Sequence, residues 1–156
     1  MNNLFSVKGK VAIVTGGSRG IGAMIAKGLV ENGVKTYITA RKESELYATA
    51  KQLSSLSKTS ECIGIVADLS TMNGIKAFSE TFKTKEFKLN ILVNNAGATW
   101  GATFEEFPEQ GWDKVMDLNA KTPFFLTQQL IDVLTKSGNK QDPARVINLA
   151  SINALS

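Results

Sequence analysis

The segment TGGSRGIG, Thr15–Gly22, has the residue types needed to hold a diphosphate. Gly16 lets the chain turn sharply, Gly20 lets backbone approach a pyrophosphate with no Cβ in the way, and Gly22 lets a following helix pack closely on the sheet. The N-terminus of that helix offers unpaired N–H groups and a positive dipole to the phosphates. Gly16, Ser18, Arg19, Gly20, Ile21 and Gly22 are therefore candidate cofactor-binding residues. A glycine pattern alone can equally be a tight strand–helix turn, so its context decides. A second feature lies in MDLNAKTPF. Pro123 has no N–H, so the carbonyl of Asn119, four residues earlier, loses its helical partner and the helix should kink. Interior proline costs about 3 kcal/mol in a helix. The freed carbonyl could bind a water, or the proline could simply be tolerated in an irregular helix.

The surrounding elements supply the context. VAIVT (Val11–Thr15) is a near-continuous apolar run and predicts a buried strand. A helix is expected over about Gly20–Asn32, with Ile21, Ile25, Leu29 and Val30 on its apolar face and Gly33 ending it. Further strands are expected at Lys35–Thr39, Cys62–Ala67, Asn90–Asn94 and Ala144–Ala150. Helices are expected over about Glu43–Leu56, Gly74–Thr84 and, as one long element, Gln110–Lys136. The alternation predicts a single α/β domain over residues 1–156, a Rossmann-type doubly wound parallel sheet of five strands with helices on both faces. The glycine segment thus follows a strand and opens a helix within a βαβ unit, which favours nucleotide binding.

The spacing Gly-x-x-x-Gly-x-Gly, together with NNAG (Asn94–Gly97) after the fourth strand, resembles the short-chain dehydrogenase/reductase family over nearly the whole chain. NNAGATWGATFEEFPEQGWDKVMDLNA and DPARVINLAS look most like its 3-oxoacyl-carrier-protein reductases, including the type linked to rhamnolipid synthesis. The resemblance implies NADP(H)-dependent reduction of a ketone or 3-oxoacyl thioester by hydride transfer. NAD-using relatives carry an acidic residue near the end of the second strand. Here Ala40 and Arg41 stand there, and Arg41 can pair with a 2′-phosphate, with Arg19 approaching from the other side. Both can also be ordinary surface arginines. The resemblance further places Asp68 and Leu69 at the adenine and Asn95, Ala96 and Gly97 along the nicotinamide side, with Asn94 stabilising the sheet.

For catalysis the resemblance implies a serine that holds the carbonyl oxygen and an asparagine that supports a water in the proton path. Ser151 and Asn119 match these positions, although a serine at a strand end can also be only a cap. The proton donor in such enzymes is the tyrosine of Tyr-x-x-x-Lys, assisted by the lysine. YATAK (Tyr47–Lys51) has that spacing. It lies on the helix after the second strand, at the adenosine side, and not after the serine. Leu46, Ala50 and Leu53 would bury that helix, and the Lys51 stem would cover the Tyr47 ring. The pair is therefore read as structural. Tyr37 is on a strand and is followed at the same spacing by an arginine. The catalytic pair is expected beyond Ser151, which makes the chain the N-terminal part of a reductase. The alternative is a nucleotide-binding or interaction module without catalysis. Trp100 in ATWG either lines a pocket or anchors its loop.

Of the 156 residues, 43% are hydrophobic and 21% charged, as in soluble domains. The net charge of +4 is mild and the basic residues are scattered, which argues against nucleic-acid binding. It is compatible with an acyl-thioester substrate carried on an acidic protein, as well as with a free small molecule. The sequence holds one cysteine and no histidine, which argues against a disulfide framework and a Cys/His metal site. No leader pattern or membrane-length apolar run is present, so a cytoplasmic location away from membranes is expected. Homo-oligomers are what the resemblance implies for a longer chain.

Overall fold

The computed structural model describes residues 5–151. The five apolar runs form strands β1 (Val11–Thr15), β2 (Lys35–Ala40), β3 (Cys62–Val66), β4 (Ile91–Asn94) and β5 (Arg145–Asn148). All pair in parallel, in the order β3-β2-β1-β4-β5. The chain winds outward from β1 to β3, returns to the other side of β1 for β4, and continues to β5. The carboxyl ends of β1 and β4 therefore flank the point where the winding reverses, which is where such sheets open a crevice for ligands.

Both faces of the central strands are covered, which is why β1 and β4 read as unbroken apolar runs. On β1, Ala12 and Val14 point to a cluster with Ala26, Val30, Leu46 and Leu53 from helices α1 (Gly20–Glu31) and α2 (Glu43–Ser54). Ile13 points to the opposite cluster, built with Phe78, Phe82, Leu126 and Leu134 from α3 (Met72–Lys85), α5 (Thr122–Gln129) and α6 (Ile131–Ser137). The edge strand β5 is exposed along its length.

Two expectations need correction. On α1, Val30 is buried and Ile25 and Leu29 pack against the same cluster as expected, but Ile21 is 64% exposed, and Gly22 and Ala26 complete the buried face. Close approach of α1 to the glycine turn demands a residue without a side chain at Gly22, which turns the first helical turn so that Ile21 faces outward. Helix α1 does end as expected: Gly33 takes φ +79°, its N–H bonds the Val30 carbonyl, and the Val34 N–H bonds the Leu29 carbonyl, forming a Schellman motif. The expected long helix is instead three α segments. Helix α4 (Glu109–Met116) runs into a π turn at Asp117–Lys121, then α5, an interruption at Leu130, and α6.

Candidate cofactor and active site

Thr15, the last residue of β1, ties the crevice together. Its hydroxyl oxygen accepts from the backbone N–H groups of Asn95 and Ala96, both at 2.9 Å, and lies 3.4 Å from the Val93 carbonyl oxygen. The Asn95 side-chain amide donates back to the carbonyls of Thr15 (2.8 Å) and Gly16 (3.3 Å). The glycine turn and the loop after β4 are thus one hydrogen-bonded unit across the reversal point. Asn94 serves the sheet, donating to the Asn148 side chain on β5 at 2.8 Å.

The glycines follow from this closeness. Gly16 adopts φ +64° and Gly20 φ +54°, both in the left-handed region that side chains disfavour. A Cβ on Gly22 would collide with the Gly16 carbonyl and come within 2.5 Å of Asn95 Nδ2, so this glycine packs on the turn itself. A Cβ on Gly17 would lie 2.5 Å from Ile38 Cγ2, a requirement the sequence reading missed. A Cβ on Gly20 would meet nothing within 4 Å: it faces open space at the mouth of the turn.

That mouth suits a phosphate. Arg19 precedes α1 in extended conformation and gives it no side-chain cap, and no acidic residue lies in the first turn. The N-terminal N–H groups of α1 therefore remain available to an anion. By contrast, the Thr71 hydroxyl caps α3 by accepting from Gly74 N–H. Arg19 and Arg41 are both exposed, and among the described residues neither joins an ion pair. They follow the carboxyl ends of adjacent strands, which are in register at Thr15 and Thr39. The residues present fit a dinucleotide carrying an extra phosphate.

The remaining candidates fall around this crevice. Asp68 receives the Ser70 N–H (3.1 Å) and hydroxyl (2.7 Å) in a local turn. Leu69 does not lie open to a ligand: its side chain is 4% exposed and belongs to the core beside α3 and α5. Asn119 lies in the π turn and grips the backbone of Ala98, donating to its carbonyl (2.9 Å) and accepting its N–H (2.8 Å). A Cβ on Gly97 would stand 3.3 Å from Asn119 Oδ1, so the NNAG loop runs directly along this turn. Ser151 follows β5 and is exposed. Residues 152–156 lie outside the described part.

The expected kink at Asn119 takes a definite form. The Thr122 N–H reaches the Asp117 carbonyl, a five-residue step, and the Thr122 hydroxyl is shared between that carbonyl (2.8 Å) and the Leu69 carbonyl (2.5 Å). A π turn widens the helix just where Pro123 would otherwise crowd the Asn119 carbonyl.

Tyr47 is elsewhere. Its ring lies over Gly64 of β3, where a Cβ would be 3.0 Å from the ring. Strand β3 is one sheet edge and β5, which leads to Ser151, is the other. Four strand spacings separate them, about 19 Å. Tyr37 is fully buried and donates to Glu86 at 2.8 Å. Trp100 anchors its loop, with its ring so close to α4 that a Cβ on Gly111 would be 2.8 Å away.

The parallel sheet, the glycine turn bound to the NNAG loop and the π turn beside it agree with the comparisons. The chain belongs to the family described as short chain dehydrogenase, whose model matches residues 10–156. It is 44% identical to the rhamnolipids biosynthesis 3-oxoacyl-[acyl-carrier-protein] reductase of Pseudomonas aeruginosa, across 100% of this chain and 60% of that protein. It is 37% identical to the 2-dehydro-3-deoxy-D-gluconate 5-dehydrogenase of Dickeya dadantii, across 96% of this chain and 56% of that protein. Among solved structures, the Pseudomonas aeruginosa RhlG/NADP active-site complex superposes with a TM-score of 0.93 at 44% identity, covering 100% of this chain and 60% of that one. The L-sorbose reductase of Gluconobacter frateurii, complexed with NADPH and L-sorbose, gives 0.87 at 29% identity, covering 96% and 55%. The chain thus spans a little over half the length of these relatives. No helix among the described residues is long and apolar enough to cross a membrane, and no cluster there could hold a metal ion.

Proposed function

We propose that these residues form the cofactor-binding part of an NADPH-dependent reductase of ketones, with 3-oxoacyl thioesters as the preferred substrate class. The observation that carries this reading is the pair Arg19 and Arg41. Both follow the carboxyl ends of adjacent strands, neither has a carboxylate partner among the described residues, and no acid stands at Ala40 or Arg41 to repel a 2′-phosphate. The resemblance to a 3-oxoacyl-[acyl-carrier-protein] reductase supports the substrate class, and the NADP and NADPH complexes among the relatives support the cofactor.

The uncapped N-terminus of α1 and the backbone of Gly16–Gly22 hold the diphosphate. Arg19 and Arg41 hold the 2′-phosphate through charge-assisted bonds. Asp68 binds at the adenine through its carboxylate, and Leu69 through main chain, because its side chain is committed to the core. Asn95 and Ala96, braced against Thr15, and Gly97, which runs along Asn119, fix the nicotinamide side. The nicotinamide supplies a hydride to the substrate carbon when bound. Ser151 donates a hydrogen bond to the carbonyl oxygen, and the Asn119 carbonyl, relieved of a helical partner by Pro123, holds a water that relays the proton. The acid is not Tyr47. No Tyr-x-x-x-Lys follows Ser151 within these 156 residues, so they bind the cofactor without turnover, and reduction requires a chain that carries the pair.

Two measurements test this. Titration calorimetry should find NADP+ bound at least tenfold more tightly than NAD+. A chain bearing Tyr-x-x-x-Lys after Ser151 should oxidise NADPH with a 3-oxoacyl thioester, while the 156 residues alone should not. Equal affinity for the two cofactors would overturn the cofactor assignment, and turnover by the 156 residues would overturn the dismissal of Tyr47.

A further inference from the structure

One carboxylate in the cofactor region has no part in this scheme. Glu45 on α2 accepts the hydroxyl of Ser18 at 2.8 Å. Ser18 is only 9% exposed and sits within the glycine turn, next to Arg19. One helical turn further along α2, the Thr49 hydroxyl donates to the Ser18 carbonyl at 2.8 Å. Residues four apart share a helix face, so Glu45 and Thr49 together clamp this point of the turn. Glu45 also stands four residues after Arg41. It makes no ion pair with either arginine among the described residues.

A 2′-phosphate drawn to Arg19 and Arg41 therefore approaches a carboxylate whose charge no cation among the described residues offsets. It also finds the Ser18 hydroxyl, a natural donor to it, already committed to Glu45. We propose that Glu45 is a specificity-determining residue that restrains affinity for 2′-phosphorylated cofactor, by charge repulsion and by occupying Ser18. This rests on the reading of Arg19 and Arg41 as the 2′-phosphate site. The restraint narrows the preference for NADP(H) over NAD(H) that the two arginines alone would set.

The test is Glu45→Gln in the full chain. Glutamine Oε1 can still accept from Ser18, so the clamp persists while the charge is removed. Calorimetry at low salt would compare NADP+, NAD+ and adenosine 2′-monophosphate. NADP+ and the 2′-monophosphate should bind about fivefold to tenfold more tightly to the variant, as expected for one unit charge at close range in a wet site. NAD+ affinity should change less than about twofold, and the gain should shrink at high salt. Unchanged affinities, or equal weakening for NADP+ and NAD+, would overturn the proposal and leave Glu45 a brace. If the wild type binds NADP+ no better than NAD+, the 2′-phosphate site itself fails and this inference with it. Should the glutamine variant not fold, Glu45→Ala is read by the ratio of NADP+ affinity to NAD+ affinity, which the proposal requires to rise.

Discussion

At Thr15 a single hydroxyl oxygen accepts two backbone N–H groups from the loop after β4. Thr15→Val keeps the shape but leaves both donors in a part-buried place without an acceptor. Such groups cost about 1–3 kcal/mol each when left unsatisfied. Urea unfolding should therefore find the variant about 2 kcal/mol less stable, whereas Thr15→Ser, which retains the oxygen, should lose less than half as much. The arginines make a different prediction, because they are exposed and in the proposed site would act on the ligand rather than the fold. Arg41→Ala or Arg19→Ala should weaken NADP+ binding by about 10- to 100-fold, the value of a charge-assisted bond, with little effect on NAD+ or on melting temperature. The sequence made the turn glycines legible because their type announces the backbone they allow, and it marks Arg19 and Arg41 as candidates to meet a phosphate. It hid Thr15, Gly17 and Glu45. Each acts through a neighbour distant in the chain, such as Asn95, Ile38 or Ser18, and no local pattern records that pairing.

The segment from α4 through the π turn to α5 carries the corresponding argument for elements. Pro123 made an irregularity near Asn119 legible. The form it takes was not, because the π turn is also held by a tertiary contact, Thr122 to the Leu69 carbonyl. The place of Ile21 on α1 was misjudged for a similar reason: close approach to the glycine turn selects Gly22 at the start of the helix, and Ala26 and Val30 continue that face into the core. The central strands were readable because burial on both faces leaves a continuous apolar signature, and the parallel sheet because strands and helices alternate along the chain. Within the π turn, Asn119 acts as both donor and acceptor to Ala98. Asn119→Leu removes both bonds, and Asn119→Asp removes the donor while placing a carboxylate near the Ala98 carbonyl. Asn119→Leu should therefore free the loop, while Asn119→Asp, which can still accept the Ala98 N–H, should do so less. Amide hydrogen exchange at Ala98 should accelerate by at least tenfold in Asn119→Leu, with smaller change at strand amides in β1 and β4. An unchanged rate at Ala98 would show that the loop is held by Thr15 alone.

The molecule as a whole should lose stability in alkali, and three buried or paired groups argue for it together. Burial pushes the Cys62 thiol up to about 12 from an ordinary 9.0. Burial, then the hydrogen bond to Glu86, raises the Tyr37 phenol. The hydrogen bond to Glu86 raises the Lys35 ammonium, with Glu61 adding to it against a desolvation cost. These groups keep their protons in the folded chain at a pH where the unfolded chain has released them. The native state then binds more protons than the unfolded state, so stability falls as pH rises. The window opens near pH 9 with Cys62 and extends upward as Tyr37 and Lys35 join. The buried Cys62 and Tyr37 each contribute roughly 1.4 kcal/mol per pH unit within their own windows, and Lys35, whose side chain is 37% exposed, contributes less because solvent screens its pairing. Urea midpoints should therefore be level between pH 7 and 8.5 and fall steeply between pH 9 and 11. Cys62→Ala should flatten the first part of that fall, because it removes the group that titrates first, and Tyr37→Phe should flatten the part above pH 10. Native Cys62, buried and protonated, should resist thiol reagents at pH 8 until urea unfolds the chain. Rapid labelling of the native protein would mean that α2 and β3, between which its backbone is pinned by Ser54, separate readily without global unfolding.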